Sequence, residues 1–160
     1  MNKSTLTATG IGVAAAAITG SIASPPRRSG WYSRLRKPPF QPPRAAFPIA
    51  WTTLYADIAA SSAVAIDRLR AQGRHDEARR YVAALGLNLG LNAGWSWLFF
   101  RHHKLGPSAV GAAVLAASSA DLARRTARAD ARAGLAMTAY PAWCAFATVL
   151  ATEVWRLNRE

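Results

Sequence analysis

The stretch Tyr81-Val-Ala-Ala-Leu-Gly-Leu-Asn-Leu-Gly-Leu-Asn-Ala-Gly-Trp-Ser-Trp-Leu-Phe-Phe100 decides the fold. It runs uncharged between Arg79-Arg80 and Arg101-His102-His103-Lys104. At a rise of about 1.5 Å per residue, a helix over residues 81–100 reaches about 30 Å, the thickness of a bilayer's hydrocarbon core. Basic and aromatic residues at both ends are what a spanning segment places at the two interfaces. Asn88, Asn92 and Trp95 fall at i, i+4 and i+7 and share one face. Gly86, Gly90 and Gly94 lie roughly 160–200° away, at about 100° per residue. The pattern predicts a membrane helix with an amide-bearing face and a small-residue face, and so a helix with two neighbours.

Outward from this segment the same grammar repeats. The chain has 160 residues and a net charge of +12, yet all 20 basic residues fall outside the uncharged runs. Mean hydropathy is near zero, but that average misleads because the charges are clustered, not spread. Candidate spans occupy about residues 4–24, 45–66, 81–100, 105–122 and 133–155, so we expect an all-α membrane protein, a single domain over 1–160 built as a five-helix transmembrane bundle. The spans lean on Ala, Gly and Ser, which implies close helix packing. The basic excess reads as loop residues of a membrane protein, and no nucleic-acid partner is expected. With one cysteine, Cys144, no internal disulfide can form.

Residues 4–24 admit two readings, a secretory signal or a retained first helix; the long apolar stretch and the spans that follow favour the helix. Residues 25–47 form a proline-rich loop with three Pro-Pro pairs, too poor in N–H groups for a long regular element. It is either a stiff lid over a pocket, carried by Trp31, Lys37, Pro42 and Pro43, or an interfacial connector anchored by Trp31 and Tyr32. In the second span Trp51, Leu54, Tyr55 and Ile58 form one face, while Asp57 points elsewhere and has no evident role. Residues 67–80 and 121–132 are mixed-charge stretches expected to be solvated loops. His102 and His103 have no acidic or thiol partner in their turn, and no metal site is expected. In the fifth span Tyr140, Trp143, Ala147 and Ala151 again share a face. Basic residues divide 10 to 10 between the two sides of a five-span topology, so the charge rule assigns no orientation.

Three ordered motifs carry a resemblance. Trp31-Tyr32-x-x-Leu35-x-Lys37-Pro38-x-x-x-Pro42-Pro43 with Phe47, Trp51, Leu54 and Tyr55 is the first. Asn88-Leu-x-Leu-Asn92-x-x-Trp95-Ser-x-x-Phe99-Phe100 and Tyr140-x-x-Trp143-x-x-Phe146-Ala147-Thr148 are the others. Together they resemble the TspO/MBR family, the tryptophan-rich sensory proteins and translocator proteins, over nearly the whole chain. That resemblance implies a five-helix bundle, often a homodimer, with a cavity beneath the first loop for porphyrins and other hydrophobic ligands. It carries ligand-binding roles onto Trp51, Tyr55, Asn92, Trp95, Trp143 and Ala147, with Asn88 nearby. Trp51 and Trp143 match tryptophans associated with light-dependent porphyrin breakdown in some bacterial members, the enzymatic alternative. Gly86, Gly90 and Gly94 match a dimer face. The chain departs from the family at Ala151, where an asparagine is usual, and at Ala139, where a proline is usual. The tyrosine-plus-basic sterol motif is missing near the C-terminus, which makes a bacterial-type tetrapyrrole the better expectation.

Physically, indoles suit a flat macrocycle, and the Asn92 amide and Tyr55 hydroxyl suit its orientation. Arg34, Arg36 and Lys37 are the basic groups expected at the mouth to meet ligand carboxylates. The competing reading is that the aromatics pack the bundle and the asparagines tie helices together. The sequence therefore leads to a multi-pass membrane protein, expected in a bacterial cell envelope, acting as sensor or carrier. It requires no cofactor and takes a porphyrin (protoporphyrin or haem) as ligand.

Overall fold

The structure, a computed structural model, describes residues 2–24 and 30–159. The first Pro-Pro pair, Pro25-Pro26, lies outside the described residues. Helix α1 (Lys3–Ala23) is followed by a short α2 (Gly30–Arg34) and by α3 (Ala46–Ala71) and α4 (His75–Ser96). A π-helical turn, Trp97–Arg101, continues α4; then come α5 (Leu105–Ala129), α6 (Ala131–Met137) and α7 (Ala139–Leu157). No strand occurs among the described residues.

Four helical stretches are long and apolar enough to cross a bilayer: Lys3–Ala23, Ala46–Ala71, Leu105–Ala129 and Ala131–Leu157, the last comprising α6 and α7. Helix α4, the segment that organises the sequence, is not among them. It opens on His-Asp-Glu-Ala-Arg-Arg and carries two asparagines and three glycines, which dilute its apolar content. Exposed Ile11, Ile18, Ile49, Leu87, Val110, Leu135 and Val149 clothe the outside of the long helices in hydrocarbon, an inversion that water would penalise and lipid does not.

The two expected charged loops are largely helical. α3 runs on to Ala71 and α4 begins at His75, so little more than a tight turn at Gly73 (φ 71°) remains of residues 67–80. α5 likewise continues through residues 121–129. Charged residues stay in these helix ends because they pair along the helix: Asp121 with Arg124 and Arg125, Asp76 with Arg79. Asp76 and Glu77 also sit in the first turn of α4, where negative charge is favoured. The fifth span is broken at Thr138. Pro141 accounts for it, since its ring would collide with the carbonyl of Met137 in a continuous helix.

Asp130 ends α5 and starts α6. Its carboxylate accepts from the Ala133 and Arg132 N–H groups (3.0 and 3.1 Å) and from Arg68 Nε (3.3 Å). Those contacts, the Ala133 N–H first, hold its carboxyl below the usual aspartate range. A depressed native value means that the stabilisation is complete at neutral pH and is lost as pH falls below about 4. We expect thermal unfolding in detergent to move to lower temperature between pH 6 and about pH 3, with Asp130→Ala flattening that acid limb; an unchanged limb would contradict this role for the cap.

Side-chain bonds then tie the helices. Thr9 Oγ1 donates to the Ala59 carbonyl (2.9 Å), joining α1 to α3. Trp97 Nε1 donates to the Thr19 carbonyl (3.0 Å), joining the π-turn to α1. Fully buried Tyr81 donates to Ser62 Oγ on α3 (3.1 Å) and shares a 2.7 Å bond with Thr126 Oγ1 on α5. Asp57 accepts from Ser61 Oγ (2.8 Å), and its other carboxylate oxygen is buried without a partner among the described residues. The face bearing Gly86, Gly90 and Gly94 is open: a Cβ at any of the three has no neighbour within 4 Å among the described residues. The amide face of α4 has its neighbours inside this chain; the glycine face has none among the described residues.

Candidate functional site

A cavity of about 890 Å³ lies among α1, α3, α4, α5 and α7, under the loop that precedes α3. That is toward the large end of small-molecule sites, which run roughly 300–1,000 Å³. Trp51 and Tyr55 reach it from α3, Asn92 and Trp95 from α4, and Trp143 and Ala147 from α7. The helical repeat explains this convergence, because each set recurs at i, i+3, i+4 or i+7 on the inward stripe of its own helix. Ala147 and Ala151 leave room where larger residues would fill the space.

The aromatic wall is braced. Trp51 tilts against Tyr55 (centroids 5.4 Å apart) and meets Tyr140 edge-on (6.4 Å). Trp95 stacks on Phe99 at 5.2 Å, and its Nε1 donates to the Ser108 carbonyl (2.9 Å), so this indole is fixed at both ends. Trp143 meets Phe47 at 6.0 Å and Phe146 at 5.6 Å. The three indoles expected from the sequence thus line one hollow.

Polar groups form a chain behind that wall. Tyr55 donates its hydroxyl to Asn92 Oδ1 (2.8 Å), Asn92 Nδ2 donates to Tyr140 Oη (3.2 Å), and Tyr140 donates to Asn88 Oδ1 (2.9 Å). Asn88 Nδ2 then donates to Ser118 Oγ on α5 (3.1 Å). Asn88 is fully buried and does not line the cavity, so it is a structural tie and not a wall residue. The sequence reading grouped it with Asn92 because the two share a helix face; their depths in the bundle differ.

The loop calls for a similar revision. Trp31, Lys37, Pro42 and Pro43 do not line the cavity; Tyr32, Gln41, Arg44 and Phe47 do. Trp31 stacks on His103 at 3.8 Å and meets Phe99 edge-on, pinning α2 to the turn after α4. Lys37 turns back into its own loop, donating to the Tyr32 and Leu35 carbonyls (2.7 and 3.0 Å) above the Tyr32 ring. Burial, aided by nearby Arg44, lowers its ammonium pKa from the usual lysine value. Arg34 Nε bonds the Gly30 carbonyl within α2. Asn158, the C-cap of α7, clamps the Arg36 backbone, accepting from its N–H (2.9 Å) and donating to its carbonyl (2.8 Å). Among the described residues, the basic side chain that lines the cavity is Arg44. The sequence did not single it out, although it is the last cation before α3 begins.

Comparison with known proteins gives the architecture its context. The TspO/MBR family model matches residues 8–156. The chain belongs to the TspO/MBR family. Among its relatives is Protein CrtK of Rhodobacter capsulatus, 32% identical over 153 residues, covering 92% of this chain and 89% of that protein. The Tryptophan-rich sensory protein of Cereibacter sphaeroides is 31% identical over 144 residues, covering 90% and 85%. The Translocator protein of Ovis aries is 33% identical over 132 residues, covering 81% and 75%. Family membership and the apolar helices make this a multi-pass membrane protein. The matched region takes in all three indoles of the cavity and the polar chain behind them.

Proposed function

We propose that this TspO/MBR protein binds a flat, largely apolar ligand of the porphyrin class inside the bilayer, as a sensor or carrier. In this reading α4 and its π-turn make a fifth crossing: the uncharged residues 81–100 reach about 30 Å, and the polar groups facing inward are satisfied by neighbouring helices. The observation that carries it is the placement of Trp51, Trp95 and Trp143 around one large cavity with Tyr55 and Asn92 on its wall. Indole faces offer stacking area, and Arg44 at the mouth offers a partner for a peripheral carboxylate. The open glycine face of α4 supports a homodimer, because small residues let two helices approach closely in lipid. The two bacterial relatives, which align over 92% and 90% of the chain, support a bacterial envelope as its setting.

The test is a titration of purified protein in lipid nanodiscs with protoporphyrin, in darkness, read by tryptophan fluorescence. The proposal expects saturable quenching at one ligand per chain, weakened when Arg44 is replaced by Ala. Quenching that rises linearly without saturation would sink it.

A further inference from the structure

The four hydrogen bonds behind the wall all run in one sense. Every donor points away from the cavity, from Tyr55 through Asn92, Tyr140 and Asn88 to Ser118. A tyrosine hydroxyl has one proton, and that of Tyr55 is committed to Asn92. What Tyr55 has left for the cavity is its oxygen lone pairs. Asn92 is only 4% exposed, with both ends of its amide engaged, whereas Tyr55 is half-buried and keeps lone pairs to offer.

Resting on the reading of the cavity as a binding site, we infer that Tyr55 is a hydrogen-bond acceptor for the ligand and that Tyr140, which does not line the cavity, sets it that way. The ligand class this favours is an apolar ring system with an O–H or N–H at its inner edge. Tyr140 acts as a positioning residue. By accepting from Asn92 Nδ2 and donating to Asn88, it keeps the Asn92 carbonyl turned toward Tyr55. Remove its hydroxyl, and the Asn92 N–H loses its buried acceptor. Turning the amide lets Nδ2 donate to Tyr55 and leaves Oδ1 in the vacated place, a carbonyl without a partner being better tolerated there than an N–H, and it frees the Tyr55 proton for the cavity. The wall then becomes a donor and favours ligands with a carbonyl.

Fluorenol and fluorenone are flat tricycles that differ at one position, an alcohol against a ketone. Their affinities for the full chain in nanodiscs, read by tryptophan quenching, give an alcohol-to-ketone ratio that general packing losses leave unchanged. We expect this ratio to fall about tenfold in Tyr55→Phe. In Tyr140→Phe it falls at least as far, although that residue touches neither probe. A ratio unchanged in Tyr55→Phe overturns the inference, and so does a wild-type ratio in a folded Tyr140→Phe protein. Should Tyr140→Phe not fold, Tyr55→Phe decides alone. Absence of saturable quenching by either probe in the wild type overturns the cavity reading itself, and this inference with it.

Discussion

Trp51→Ala and Trp143→Ala each weaken dark protoporphyrin binding about thirtyfold, and together by several hundredfold or more, as read by quenching in nanodiscs. The magnitude follows from what is removed. A buried aromatic anchor in a binding site commonly accounts for about 2 kcal/mol, and 1.4 kcal/mol is a factor of ten. These two indoles stand on different helices, and their ring contacts are separate: Trp51 with Tyr55 and Tyr140, Trp143 with Phe47 and Phe146. Their losses should therefore come close to adding. The pair Trp51→Phe/Trp143→Phe keeps most of the stacking area, so its binding should stay within about tenfold of wild type. Trp95 is a poorer probe because it is also tied to Ser108 and stacked on Phe99, and its loss would loosen α4 against α5. Wild-type affinity in the Trp51→Ala/Trp143→Ala protein would show that the ligand sits elsewhere.

Gly134→Val removes the folded protein at temperatures the wild type survives. A Cβ at residue 134 would stand 2.3 Å from Ala127 Cα and 2.6 Å from Ala127 N, inside backbone that no rotamer change can move. The Asp130 cap fixes the corner between α5 and α6, so the two helices cannot part without breaking it. Overpacking of this kind costs about 3 kcal/mol or more, a large share of a domain's stability. Thermal unfolding in detergent measures it. Gly86→Ala and Gly90→Ala supply the contrast, since nothing within 4 Å opposes their methyl groups. They should leave the monomer's unfolding unchanged or slightly raise it. A Gly134→Val protein as stable as wild type would show that this corner is looser than its geometry.

Much of this was legible in the residues. Periodicity placed Trp51, Trp95 and Trp143 on inward stripes, and the family motifs tied those stripes to one cavity. Depth was harder to read. Asn88 and Asn92 share a face at i, i+4, yet one tie is fully buried and the other borders the hollow, because neighbouring helices close over α4 unevenly. The loop residues failed for a related reason. Proline and cation content marks a stiff basic segment, but which side chains turn inward depends on where Asn158 and His103 catch it. Charge clusters misled outright at residues 67–80 and 121–132, where intrahelical pairing keeps charged chain helical past the membrane. Asp57 was unexplained in the sequence, and its unpartnered oxygen gives it no assigned task.

The most direct test of an indole-walled site between helices is oxidative footprinting of the tryptophans, read by mass spectrometry with and without protoporphyrin in darkness. Trp51, Trp95 and Trp143 line the cavity, whereas Trp97 and Trp155 do not. Protection by ligand confined to the first three is the predicted result. Protection of Trp97 and Trp155 with no change at Trp51, Trp95 and Trp143 would contradict the account.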